Sequence, residues 1–433
     1  MTNKGLRISL SRNLFDWALI LLMCVCTTKW FYEGILAFAA FQVIAVFACF
    51  MLVLVKTNFR LRVKSWVWAF YAVSILSNML LKGGTINMWG RAATVILTVG
   101  FAMVLNCSDF SVKRVTGFIA KIGIFQAIMV LVHFVLKQRF NALYFPLLNP
   151  INRKYAVEYY SNGYYFGLLD SPHEVAGLIV FAIGYMVFWC IARKRWKTRH
   201  IALIGMLLLG LLLTSKKAVL VMGLLAIGLT ILVLFGSKKQ WHIVIALVLT
   251  FALLAGVLVV LIMRFPNNPL FFRLSQMMMK LISGDSIMST RGWLYQYALD
   301  EWNDNKLFGI GWRHFKQLTT TKYSFGFAHE VNCDYLQWLC EMGVVGLTLN
   351  MLSVGTSLYR TIYVCRKGLR RITDKNTMTC VLFAIFVQFF TVVYAVIEIP
   401  FYDIMFFAVY MYSFIIINSA YKKMKAKRIP AWI

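Results

Sequence analysis

The chain has 433 residues, 61% of them hydrophobic and 14% charged, with 45 Lys and Arg against 16 Asp and Glu for a formal net charge of +29. Such an apolar excess excludes an ordinary soluble domain, in which about half the residues are apolar. The basic residues gather at the ends of apolar runs, so topology and contact with anionic lipid account for the charge, and nucleic acid is not an expected partner.

Apolar runs of roughly 20 residues cross a hydrocarbon core of ~30 Å as helices, whereas barrel strands would be about 10 residues long with strict alternation. The expected fold is therefore an all-α polytopic membrane protein with about 12 transmembrane helices and a partly helical large outer loop. In chain order the predicted spans are 14–28, 34–55, 66–81, 90–106, 116–136, 173–192, 200–214, 218–236, 241–263, 341–359, 378–397 and 401–419. A short first run and a re-entrant final pair would reduce the count to eleven or ten. This divides the chain into N-terminal spans (1–136), an outer aromatic loop (137–172), central spans (173–263), a large outer loop (264–335) and C-terminal spans (336–433).

Lys and Arg beside short loops stay on the cytoplasmic side. The clusters KTNFRLRVK (56–64), RKRWKTR (193–199), RKGLRR (366–371) and KKMKAKR (422–428), with Lys4, Arg7, Arg12, Lys238 and Lys239, all fall on one side of this arrangement. Both termini are then expected in the cytoplasm, and most acids on the outer face. The first apolar run has no small-residue cleavage site, so no signal peptide is expected. Nine cysteines without CxxC spacing indicate packing rather than a metal site or a disulfide framework.

The aromatic loop carries Arg153 and Lys154 among Tyr155, Tyr159, Tyr160, Tyr164 and Tyr165. Aromatic faces with polar edges suit sugars, and an interfacial aromatic belt would use the same residues. The next notable segment is LLLTSKKAVLVMG (211–223), which sets Lys216 and Lys217 in a turn on the outer side, against the positive-inside trend. They can hold an anion such as a phosphate, or reach lipid headgroups.

Two helices are expected in the large loop. One covers LFFRLSQMMMKLI (270–282); the other covers RGWLYQYALDEWNDN, with Ser289 and Thr290 as caps and Trp293, Leu294, Tyr297, Ala298 and Trp302 on one apolar face. They either lie on the bilayer surface or roof a cavity. The loop adds the cations Arg273, Arg291, Arg313 and Lys316. His173 and His329 each begin a His-Glu-Val triplet before a span, and a histidine beside a glutamate can act as a base. There is no phosphate-cradling GxxxxGK[ST] loop, no GxGxxG after a strand, no HExxH helix and no Asp-x-Asp pair, so no cofactor or metal is expected and any donor would be lipid-borne.

The order LLTSKKA, then STRGWLYQYALDEWNDNKLFGIGWRHF, then AHEVNCDYLQWLCEMGVVGL resembles the O-antigen ligase and Wzy-type polysaccharide polymerase superfamily over about residues 205–350. That family shows a Ser-Arg turn, an Arg-x-x-x-Trp helix with a Gly-x-Gly turn, and a His-Asn-x-Tyr-Leu-Gln segment running into Glu-x-Gly-x-x-Gly. The resemblance implies a membrane glycosyltransferase fold of the type C kind, working without metal or nucleotide. It implies transfer of glycan from undecaprenyl diphosphate outside the cytoplasmic membrane, with membrane lipids and a chain-length regulator as further partners.

On this reading Lys216, Lys217, Arg273, Arg291 and Arg313 face the diphosphate. His329, Glu330 and Arg291 are the catalytic candidates, and Tyr159, Tyr160, Tyr164, Tyr165, Trp293 and Trp312 the glycan contacts. Two positions depart from the family. Lys216 stands where Arg is usual, which keeps charge but loses the bidentate fork. Asn332 stands at the motif histidine, with His329 three residues upstream, about one turn if the helix reaches it. Because ligases are expected to keep that histidine, a polymerase of capsule, O-antigen or exopolysaccharide units is preferred to a ligase. A lipid-linked oligosaccharide flippase would line several spans with charge, and these spans are nearly uncharged.

Overall fold

In the computed structural model, the described residues are 16, 20–21, 38–56, 63–148, 150–169, 171–235, 260, 264, 290–323, 328–369 and 372–426. Nearly all of the expected spans 14–28 and 241–263, the 270–282 helix and Arg273 lie outside them. The described residues are mostly helical, with no strand among them.

The helices in chain order are α1 (Phe38–Lys56), α2 (Ala69–Lys82), α3 (Ile86–Val104), α4 (Val112–Leu136), α5 (Gln138–Tyr144), α6 (Pro150–Ser161), α7 (Pro172–Arg193), α8 (Thr198–Leu213), α9 (Lys217–Phe235), α10 (Thr290–Asp304), α11 (Phe315–Thr321), α12 (Asp334–Lys367), α13 (Lys375–Tyr394) and α14 (Ile404–Lys425). Seven of them, α3, α4, α7, α9, α12, α13 and α14, are long and apolar enough to cross a membrane. The chain is thus an all-α polytopic membrane protein.

Hydrophobicity all round a helix marks it for the interior of a bundle. Helices α7, α13 and α14 have that character and form the centre, with α4 and α8 packed on α7, α9 on α13, and α2 and α14 on α12. Apolar faces gain little from one another in lipid, so close backbone approach and interhelical hydrogen bonds supply specificity. A Cβ on Gly123 of α4 would stand 2.2 Å from the Leu178 carbonyl oxygen of α7, which shows how near those helices run. Buried polar side chains tie the other contacts. Ser357 donates to Gln388 Oε1 at 2.7 Å, and Gln388 donates to Ser413 at 2.7 Å, linking α12, α13 and α14. Ser74 of α2 donates to Asn350 of α12 at 2.6 Å.

Helix α10 begins and ends close to where its sequence predicts, and it packs through the expected face at every predicted member but Trp293. Leu294 and Ala298 are buried with Phe315, Val331 and Cys340, so α10 packs on α12 instead of lying free on a bilayer. Trp293 is 56% exposed, and Glu301 is buried in its stead. Lys322 Nζ and the Tyr323 hydroxyl each donate to Glu301 Oε1 at 2.5 Å, and this pairing makes burial of the carboxylate tolerable.

Helix α12 breaks once, at Gly343, where φ is 68°. The turn from Lys306 to Gly311 fits into that break. Val344 N donates to Lys306 O, Val345 N to Leu307 O, Ile310 N to Cys340 O and Gly311 N to Glu341 O, at 2.9–3.2 Å. The Gly-x-Gly turn and the Glu-x-Gly stretch, distant in sequence, are thus two halves of one backbone lock. Gly309 takes φ 67°, and a Cβ there would stand 2.3 Å from the Glu341 carbonyl carbon.

Candidate active site

The lock sets the geometry at one end of the bundle. Glu341, fully buried, turns its carboxylate back into the loop, where Oε2 accepts Arg313 N at 2.7 Å and Oε1 accepts Phe315 N at 3.3 Å. This stabilises Arg313 at φ 62°, an uncommon backbone conformation for a residue with a side chain. The Arg313 guanidinium then donates through Nη2 to Tyr402 O at 2.6 Å, while Nη1 lies 3.8 Å from Glu330 Oε1. Lys316 Nζ approaches the same Glu330 oxygen at 3.5 Å, and Gln337 Nε2 donates to Glu330 Oε2 at 2.7 Å.

Burial alone would raise the Glu330 carboxyl, but Lys316, Arg313, the Gln337 hydrogen bond and the field of Arg91 outweigh it and hold the group below the usual carboxylate range. Glu330 is accordingly an ionised counter-ion and a weak base. Lys316 shows the other side of the balance. Glu330 favours its charged form, yet burial, Arg313 and Arg91 together hold it below the ordinary lysine range.

His329 lies outside α12, which starts at Asp334. Its backbone is pinned to α11 instead: His329 N donates to Thr319 Oγ1 at 3.0 Å, and that hydroxyl lies 3.4 Å from His329 O. Burial, followed by the field of Lys316, lowers its pKa, with Glu158 of α6 opposing. The imidazole is thus neutral at ordinary pH and competent to accept a proton. Asn332 adopts φ 59°, a left-handed conformation that asparagine tolerates better than most residues, and its carbonyl accepts from the Tyr295 hydroxyl at 3.3 Å.

Arg291, at the start of α10, donates through Nη2 to Glu398 Oε1 at 2.7 Å and through Nη1 to Ile397 O at 3.0 Å. The segment between α13 and α14 that it grips is a hub. Ala395 O and Glu398 O accept from Asp334 N, and Phe401 N donates to Asp334 Oδ2 at 3.0 Å. Tyr402 O receives Arg313, and Asp403 Oδ2 lies 3.9 Å from His173 Nε2, with the Tyr394 hydroxyl 2.8 Å from His173 Nδ1.

The lysine turn meets the aromatic loop. Tyr165 N donates to Leu213 O, the Ser215 hydroxyl donates to Gly163 O, and Lys216 Nζ stands 5.6 Å from the centre of the Tyr164 ring. Lys217 opens α9 directly after it. Tyr159, Tyr160 and Tyr164 are half-buried and pack against the core, and Tyr165 is buried. Trp312 departs most from expectation: it is 1% exposed, stacked 6.0 Å from the Tyr402 ring, so it packs the core and offers no open face to a glycan. Exposed Trp293 stacks on Tyr297 at 6.3 Å, which in turn stacks on Tyr323 at 3.9 Å.

Sequence reading did not single out Arg91, Glu398, Tyr402 or Asp403. Arg91, a lone cation in the first turns of an apolar helix, carried a signal, since charge within a span is rarely idle. Among the described residues no group of three or more His, Cys, Asp or Glu side chains is placed to hold a metal ion.

Fold and site together define a multi-pass helical membrane protein with an excess of cations gathered at one end of its bundle. Residues 201–351 match the family described as O-antigen ligase, and the match supports the O-antigen ligase and Wzy-type polymerase superfamily, bacterial membrane proteins that process lipid-linked glycans. The matched segment contains the lysine turn, Arg291, Arg313, Glu330 and the glycine lock, and it excludes Arg91, His173 and the 395–403 hub. No curated protein matches the chain.

Proposed function

We propose that this chain is a polymerase that joins undecaprenyl-diphosphate-linked oligosaccharide repeat units into capsule, O-antigen or exopolysaccharide at the outer face of the cytoplasmic membrane, with both termini cytoplasmic. The observation that carries the reading is the neutral, half-buried His329 beside the buried Arg313 and the exposed Lys316, which stand 3.8 and 3.5 Å from Glu330. Glycosyl transfer from a lipid diphosphate needs these two functions together: an acceptor for the hydroxyl proton, and positive charge where the diphosphate leaves.

In this reaction the acceptor hydroxyl oxygen forms a bond to the anomeric carbon of the donor. The bond from that carbon to the diphosphate oxygen breaks, the electron pair leaves with undecaprenyl diphosphate, and the hydroxyl proton passes to His329. Arg313 and Lys216, with Lys217 and Arg291, stabilise the departing charge; Arg273 is the remaining candidate for this role. Trp293 and the half-buried Tyr159, Tyr160 and Tyr164 receive the glycan. Asp403, His173 and Glu398 fix the hub that holds Arg313 and Arg291 in register.

A ligase, transferring finished glycan to lipid A core or another acceptor, is the second reading, and the description of the matched family favours it. Against it stands Asn332 at the motif position. Deleting the gene separates the two on a polysaccharide gel: surface glycan carrying single repeat units supports the polymerase, and loss of all surface glycan supports the ligase.

A further inference from the structure

Backbone N–H groups from Ile310 to Phe315 are mostly taken by α12. Ile310 N and Gly311 N donate to Cys340 O and Glu341 O, and Arg313 N and Phe315 N donate to the Glu341 carboxylate. Trp312 N is the exception: it donates to Asn78 Oδ1 of α2 at 2.5 Å. The same side chain donates through Nδ2 to Phe308 O at 2.8 Å and to Glu341 O at 3.2 Å. Asn78 and Trp312 are both buried, so water cannot readily replace a lost partner. An asparagine offers one carbonyl acceptor and two N–H donors in one plane. Here the carbonyl holds the loop, and the donors hold the two halves of the glycine lock, Phe308 on the turn and Glu341 on the helix.

Packing of α2 on α12 does not require this arrangement, because Ser74, one turn away, already ties α2 to Asn350 at 2.6 Å. The consequence falls on Arg313, the residue after Trp312. Its backbone, at φ 62°, is fixed on one side by Glu341 and on the other by Asn78 acting through Trp312 N. Those two anchors set where its guanidinium leaves the chain, towards Tyr402 O and Glu330. Asn78 itself lies outside the segment that matches the family. We propose that Asn78 is a positioning residue of the candidate active site, one that sets the register of residues 306–315 and the direction of the Arg313 guanidinium. Helix α2 is then part of the catalytic scaffold. The effect on catalysis rests on the polymerase reading; the register does not.

The test uses the full-length chain in phosphatidylcholine nanodiscs. Amide hydrogen exchange over residues 306–315 should quicken about tenfold or more in Asn78→Ala, the factor expected when a hydrogen bond closing the segment is lost. Ser74→Ala, which removes a bond between the same two helices, should leave that exchange within about twofold of wild type. Asn78→Leu, which fills a similar space without a polar atom, gives a second reading should Asn78→Ala fail to fold. With undecaprenyl-diphosphate-linked repeat units, well below each variant's Tm, Asn78→Ala should lower kcat on the order of tenfold with KM for the donor unchanged, because a displaced Arg313 weakens the transition state alone. A lowered Tm with wild-type kcat would reduce Asn78 to a structural role and overturn the proposal. Unchanged exchange in both Asn78 variants, or an equal rise in Ser74→Ala, would overturn it too. Exchange needs no turnover, so an inactive wild-type protein defeats the polymerase reading while the register is still decided.

Discussion

Replacing Gly343 with Ala probes the lock between the Gly-x-Gly turn and the broken helix. The backbone there, at φ 68° and ψ −169°, belongs to a region essentially restricted to glycine. An L-residue in it costs about 1–3 kcal/mol. The new Cβ would also stand 2.2 Å from Leu307 O, 2.3 Å from Leu307 C and 2.6 Å from Phe308 N, all backbone atoms without a rotamer to yield. Relief requires pushing the 306–309 turn outward, which breaks the Val344 N to Lys306 O and Val345 N to Leu307 O bonds, each worth roughly 1 kcal/mol net. The total is about 3–5 kcal/mol, a large share of a typical stability of roughly 5–15 kcal/mol. Thermal denaturation of the purified protein should show Tm lowered by roughly 5 °C or more, and the variant should make no long-chain polymer. Gly228→Ala, in a regular helix with nothing within 4 Å of the added methyl, is the control and should behave as wild type. Wild-type Tm and chain length in Gly343→Ala would refute the lock.

Several other outcomes follow from the same geometry. His329→Ala should reduce polymer formation on the order of a hundredfold without loss of protein from the membrane; full activity would remove it as the base. Because burial and Lys316 lower the His329 pKa, the neutral form persists as pH falls through the ordinary histidine range near ~6.5. Polymerisation rate should therefore hold to that point and decline only below it. The sign for stability agrees: the unfolded chain takes up this proton first, so the contribution of His329 is complete above ~6.5 and is lost as pH falls towards the folded value. A rate that halves at pH 6.5 would contradict this placement. Arg291→Ala and Lys216→Ala should each abolish long chains while the protein still inserts, read on a polysaccharide gel beside a membrane immunoblot. Trp312→Ala should destabilise by about 3–5 kcal/mol through a core cavity, whereas Trp293→Ala should leave Tm unchanged and weaken glycan binding alone; equal Tm losses would contradict the assigned exposures.

Hydropathy made the helices legible because a span must satisfy its backbone internally, and the observed bounds of α4, α7 and α9 lie within a few residues of those expected. The site was legible as a set of residue types rather than as an arrangement. The glycines of 309–311 and 343 stood out as motif markers, but their pairing is a tertiary fact that no periodicity encodes. Arg91 was not legible as a charge acting on Glu330, because its field reaches that carboxylate only when α3 packs into the bundle. Trp312 misled for a related reason: an aromatic in a loop resembles a sugar platform until Tyr402 is seen lying over it. The packed face of α10 was legible at Leu294 and Ala298, whereas the burial of Glu301 on that same face was not, because it depends on Lys322 and Tyr323.

The most direct measurement of the central claim is reconstitution of the purified chain in liposomes with synthetic undecaprenyl-diphosphate-linked repeat units, with products resolved by length. The expected product is a ladder of chains growing by whole repeat units, with one undecaprenyl diphosphate released per linkage and no ladder with His329→Ala. Unextended repeat units with the wild-type chain, or elongation that proceeds unchanged in the His329 variant, would contradict it.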